Sequence, residues 1–142
     1  MTLITIHAAA TFVMVGLIWT MQVVHYPLFA LVGESDFSEY EASHQRRIIR
    51  LLAIPAVTEI VSAGLIALDP PDGVPASLAI AGGSLLVAVW VLTGLVQAPL
   101  HGALSSGYDA TRIGRLVRTN WWRTLAWTGR GVMAAWMIGA AS

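Results

Sequence analysis

The chain has 142 residues, 56% of them hydrophobic and 11% charged, with no net charge and a mean hydropathy of +0.70. A soluble domain carries about 25% charged residues, so this sequence lacks the polar surface to cover itself in water and reads as a membrane protein. It contains no cysteine, which excludes disulfides, thiolate metal sites and cysteine nucleophiles; with no net charge and no glycine-rich phosphate loop, no nucleic-acid partner is expected.

Four apolar runs are long enough to cross a bilayer, which takes roughly 20 residues at ~1.5 Å rise each. The first predicts a helix over about Thr2–Tyr26, closed by Pro27, which lacks a backbone donor and disfavours helix at the residue before it. Its leading MTLITIH has no Lys or Arg and its apolar stretch is too long for a signal h-region, so it reads as a span. GESDFSEYEASHQRR follows as an amphipathic lead-in, in which Asp36-x-x-Glu39 and Ser38-x-x-Glu41 resemble capping boxes. It runs on into a second helix, the two together covering about 37–68, bent at Pro55. DPPDGVP is a tight turn. A third helix covers about 77–100, GALSSGYDATRIGR reads as a loop with a short helix, and a fourth helix runs over about 120–140. No internal repeat is visible. Connections this short predict an all-α fold, one transmembrane domain over 1–142 built as a four-helix up-and-down bundle.

The 36–50 and 109–123 segments hold seven arginines, whereas the 69–75 turn holds only Asp69 and Asp72. The positive-inside rule then puts the arginine-bearing end in the cytoplasm and both termini outside, as for a multi-pass protein of a bacterial inner membrane.

Polar residues converge on that cytoplasmic end. His25, His44 and His101 fall near the ends of three helices, and Asn120 and Arg123 open the fourth. Helical phase adds Gln22 beside His25, aligns Trp90, Gln97 and His101 on one stripe, and sets Trp127 on the face of Asn120 and Arg123 with Arg130 near it. Polar side chains at such depth face a bundle interior or a wet cavity. The expectation is a polar pocket in the cytoplasmic half, walled by Trp90 and Trp127. Glu59 and Arg130 lie deeper, where a lone charge costs at least ~3 kcal/mol, and are expected to neutralise one another. His7, on the face of His25 but roughly 27 Å along the helix from it, is expected at the outer interface.

Histidines on three helices fit an Fe, Cu or Zn site with an open position. Glu41-x-x-His44 adds the i, i+3 pair of carboxylate-bridged di-iron bundles. The candidate metal ligands are therefore His25, His44, His101 and Glu41; haem held by two of the histidines is a second option and a cofactor-free site a third. The bland alternative leaves each histidine solvated at the interface or capping a helix end. Catalysis would rest on His101 and His25 as ligands or general base, an imidazole being suited to proton abstraction at neutral pH. Asn120 and Arg123 stand beside them, with Arg123 stabilising a developing oxyanion. Trp121 and Trp122 read as an aromatic belt, Arg112, Arg115 and Arg118 as contacts to anionic headgroups, and Gly82-Gly83 and Gly129/Gly131 as points of close packing.

Two short motifs carry a family resemblance. Pro99-Leu100-His101 and Asn120-Trp121-Trp122-Arg123-Thr124 resemble the C-terminal half of small four-helix membrane proteins of the anthrone-oxygenase-like type. In those proteins a Pro-x-Asn segment ends the third helix, and a polar residue followed by x-x-Arg-Thr begins the fourth; here His101 replaces the Asn. The likeness covers about the last third of the chain. It implies an oxygenase-like activity on aromatic, polyketide-like substrates without an obvious cofactor. A looser likeness is to small haem-binding membrane proteins of the protoporphyrinogen-oxidase and copper-resistance kinds, with an early histidine on the first helix; those oxidases have a functional lysine, and this chain has none. The leading expectation is a small membrane oxidoreductase acting on an apolar, aromatic molecule that enters from the bilayer. The alternatives are a haem- or metal-binding membrane protein and a non-catalytic accessory subunit, as an oligomer or within a larger membrane complex.

Overall fold

The computed structural model describes residues 1–141, nearly all of them in four long helices. These are α1 (Thr2–Leu31), α2 (Phe37–Leu68), α3 (Ala76–Leu104) and α4 (Ala110–Ala140). The connections are short enough that each helix runs antiparallel to the next. α1 packs against α2 and α4, and α3 closes the ring against α4 and α2. Three apolar layers divide the interior. Ile4, Ile66, Val74, Leu78 and Met137 pack at the end carrying both termini. Met14, Ile18, Ala56, Val89 and Trp127 pack in the middle. Tyr26, Phe29, Phe37, Leu100, Leu104, Ile113 and Leu116 pack at the far end.

The burial pattern is inverted. Glu41, Glu59, Gln97, Asn120, Thr124 and Arg130 are buried, while Phe12, Ile54, Val57, Val87, Val132 and Trp136 are exposed. A protein folded for water keeps charge outside. α1, α2 and α3 are each long and apolar enough to cross a membrane; α4 is as long but carries five arginines along its length.

α1 does not stop at Pro27. A proline cannot donate to the carbonyl four residues back, and its ring pushes that carbonyl away. The chain answers by widening the preceding turn: Met21–His25 is π-helical, with the Tyr26 N–H donating to the Met21 carbonyl. α3 does the same ahead of Pro99, where Thr93–Gln97 is π-helical and the Ala98 N–H donates to the Thr93 carbonyl. It therefore continues past Leu100 to Leu104. The two helical hairpins share this device although their sequences show no repeat.

α4 begins at Ala110 rather than near Asn120, because Asp109 caps it by accepting from the Arg112 N–H at 3.0 Å. Arg112, Arg115 and Arg118 thus belong to α4 and not to a separate loop helix. α2 has the expected bounds and remains helical through Pro55, but neither capping box forms: Asp36 makes no side-chain cap, and Glu41 turns into the core. In the turn before α3, Gly73 has a φ of +82°, and an added Cβ would collide with the Ala140 carbonyl oxygen, so only glycine fits.

Candidate functional site

The π turns set the phase of the residues beyond them. Gln22, Tyr26 and Phe29 face inward from α1, with His25 half-buried beside them, and Gln97, Leu100, His101 and Leu104 follow the same pattern on α3. α2 presents Glu41 and His44 to both. His25 Nε2 lies 2.9 Å from His44 Nδ1, and the His44 and His101 rings are 5.4 Å apart. His101 Nδ1 lies 2.6 Å from Glu41 Oε1, and its Nε2 lies 3.2 Å from the Tyr26 hydroxyl. An ionised carboxylate only accepts, so His101 Nδ1 donates to Glu41; in the neutral ring Nε2 then accepts from Tyr26. Gln45 locks this arrangement. Its amide donates to Glu41 Oε1 at 3.0 Å, to the His101 carbonyl at 3.2 Å and to the Ser105 hydroxyl at 2.8 Å.

The expected metal set needs correction. His25, His44, His101 and Glu41 are neighbours, but His25 Nε2 faces His44 Nδ1 and His101 Nδ1 faces Glu41 Oε1. Among the described residues no group of three such side chains is arranged to hold a metal ion.

An open-sided groove of about 370 Å³ runs between α1 and α2, lined by Met21, His25, Tyr40, Ser43, His44, Arg47, Ile48 and Leu51. His44 is 7% exposed, lines this groove, and has no partner for its Nε2. Met21 and Ile48 also line a smaller crevice of about 30 Å³, which reaches Tyr26, Arg123 and Trp127.

Behind the crevice, α1 and α4 are tied by amides and hydroxyls. Asn120 donates to Gln22 Oε1 at 3.0 Å, Thr124 donates to the same oxygen at 3.3 Å, and Gln22 donates to the Val117 carbonyl at 3.1 Å. Arg123 donates to Asn120 Oδ1 at 3.0 Å, and Gln97 donates to the Thr119 hydroxyl at 2.9 Å. Deeper still, Arg130 Nε donates to Glu59 Oε1 at 3.0 Å, and Trp127 Nε1 donates to Glu59 Oε2 at 3.1 Å. Arg130 also donates to the Gly82 carbonyl. Glu59 and Arg130 are thus paired, as their depth requires.

The pocket differs from the expected one. Gln22, Glu59, Gln97 and Arg130 are sealed into these networks and line neither cavity. Trp90 stands edge-on to Trp127 at 6.4 Å and is not a pocket wall, whereas Trp127 lines the crevice. His7 is buried within the bundle, its Nδ1 2.9 Å from the Ser62 hydroxyl. Tyr26, Gln45, Ser43 and Arg47 also belong to this site. Gln45 had a signal, being four residues after Glu41 on one helix face. Tyr26 had none, because its partners come from α3 and α4.

The chain matches no known protein family, no curated protein and no solved structure.

Proposed function

We propose that the chain is an integral, multi-pass protein of a bacterial inner membrane, with both termini outside and the His25–His44–His101 end at the cytoplasmic face. The inverted burial supports insertion. Exposed Trp121, Trp122, Leu125, Val132 and Trp136 support α4 as a fourth span. The arginines at one end and the acidic 69–75 turn at the other support the orientation.

Its activity is that of an oxidoreductase of the oxygenase type, acting on an apolar aromatic with an acidic C–H or O–H that slides from the bilayer into the α1–α2 groove. One observation carries this reading: His44 Nε2 is buried, unpartnered and on the groove wall, while Nδ1 is engaged by His25. When Nδ1–H donates to His25, Nε2 is a lone-pair acceptor placed where a substrate proton arrives, the arrangement of a general base held by a second ring. His44 removes the proton, and the resulting carbanion or phenolate passes electrons to dioxygen, the co-substrate. For a ring CH2 that becomes C=O, one oxygen atom of O2 enters the ring and the other leaves as water with both hydrogens. The Pro99-Leu100-His101 and Asn120-Trp121-Trp122-Arg123-Thr124 resemblance supports the same chemistry.

Oxygen uptake by the purified protein in mild detergent, supplied with anthrone-like and quinol-like aromatics, tests the reading. The visible spectrum and metal content are recorded on the same sample. Uptake that His44→Gln abolishes with helix content intact supports it. Uptake unchanged in His44→Gln overturns it. A Soret band or stoichiometric metal replaces it with the haem- or metal-binding alternative, and a protein without turnover whose histidine variants only lose stability is an accessory subunit.

A further inference from the structure

Arg123 lines the crevice between α1, α2 and α4 and is 7% exposed. Buried Glu59 is ion-paired with Arg130, and buried Glu41 accepts from His101 Nδ1 and Gln45. Among the described residues Arg123 makes no ion pair. Its guanidinium touches Asn120 Oδ1 and the Trp127 ring at 5.2 Å, both uncharged, with Tyr26 on the same crevice wall, and its Nε has no partner. A cation held out of water without a counter-charge is strongly unfavourable, and arginine does not readily shed its charge. The arrangement is complete only with an anion.

The space beside it says which kind. The crevice, of about 30 Å³, is narrow and is otherwise walled by apolar side chains such as Met14, Leu17, Ile18 and Leu52. Met21 and Ile48 line both it and the roomier groove. A phosphate, sulfate or carboxylate would leave further oxygens against hydrocarbon. A single oxygen on a flat apolar body fits: the oxygen reaches Arg123 and Tyr26, and the body lies along Met21, Ile48 and Leu51.

We infer that Arg123 is the anion-binding residue of this site and that its ligand is an apolar aromatic held as its phenolate or enolate. The inference deepens the proposed function and rests on it for the aromatic nature of the ligand. Arg123 and the oxyanion each supply the counter-charge the other lacks.

The test is equilibrium binding of 4-nitrophenol bearing a butyl chain to the purified protein in detergent, at a pH below the probe's own ionisation midpoint. The yellow phenolate band is the readout. The protein is expected to turn the probe yellow, Arg123→Lys to keep a weakened signal, and Arg123→Gln to lower apparent affinity at least about tenfold. The probe's methyl ether, which cannot ionise, is expected to displace it poorly. A full phenolate band in folded Arg123→Gln overturns the inference, as does no band in the unsubstituted protein. If Arg123→Gln fails to fold, the ether decides: displacement as strong as by the phenol overturns the inference, and weak displacement upholds it. Binding is read without turnover, so the two proposals separate. A phenolate band without oxygen uptake upholds the oxyanion site and removes the oxygenase reading; uptake without the band does the reverse.

Discussion

Glu41 and His101, 60 residues apart in the chain, meet at 2.6 Å between α2 and α3. The carboxylate is 0% exposed, and Gln45 bonds both Glu41 Oε1 and the His101 carbonyl. Carboxylate, imidazole and the Tyr26 phenol therefore form one line of hydrogen bonds, in which the acid fixes the tautomer and angle of the ring and the ring orients the phenol. The same logic holds the histidine of a hydrolase triad.

Glu41→Gln keeps the shape but removes the charged acceptor. The expected loss is about 1–3 kcal/mol of stability, measured by thermal unfolding in detergent. His101→Gln made in the Glu41→Gln background is expected to cost less than in the wild type, with a coupling of at least about 1 kcal/mol. Strictly additive losses would show that the contact contributes no energy.

Glu59 and Arg130 give a second stability test. Both are buried, and Trp127 and the Gly82 carbonyl complete their bonding. Glu59→Gln leaves the Arg130 charge without its counter-ion and is expected to cost about 3–5 kcal/mol. Replacing both, as Glu59→Leu with Arg130→Met, removes the charges together and is expected to cost well below the single change. Helix content and unfolding temperature in detergent read both. A double variant worse than the single one would make the pair a net source of stability.

His25 is a positioning residue in the proposed chemistry, acting through His44. His25→Gln is expected to lower turnover roughly 100-fold while leaving the phenolate band at Arg123 in place, because the crevice is lined without His25. A loss of binding in parallel with turnover would instead place His25 against the ligand.

Hydropathy and turn chemistry are local, which is why the four helices and both ends of α2 can be read from the residues. Depth and phase also bring His25, His44 and His101 to one level. Partner choice is another matter. Glu41 reads as a capping acid because Ser38 precedes it by three residues, and only the packing of α2 on α3 turns it to His101. His7 reads as interfacial because its depth is visible and its Ser62 partner is not. Arg123 reads as the oxyanion-stabilising arginine of a polar pocket; its want of a counter-charge appears only when every carboxylate has been placed. Pro27 and Pro99 obey the local rule that ends a helix, yet buried Tyr26, Phe29, Leu100 and Leu104 favour a continuing helix more strongly than the prolines oppose it.

That competition is testable in α1. A π turn holds one more residue than the α turn it replaces, and Val24, half-exposed within Met21–His25, can be deleted without removing a buried contact. Deletion leaves Gln22 and His25 on their own sides of the turn but places Pro27 four residues after Gln22, so the ring meets the Gln22 carbonyl. The expected cost is about 3 kcal/mol. Adding Pro27→Ala to the deletion removes the ring and restores a donor, and most of that loss is expected to return. If Pro27→Ala rescues nothing, the π turn answers not to the proline but to the contacts of Gln22 and His25, which the widened turn lets α1 direct to α4 and α2 at once.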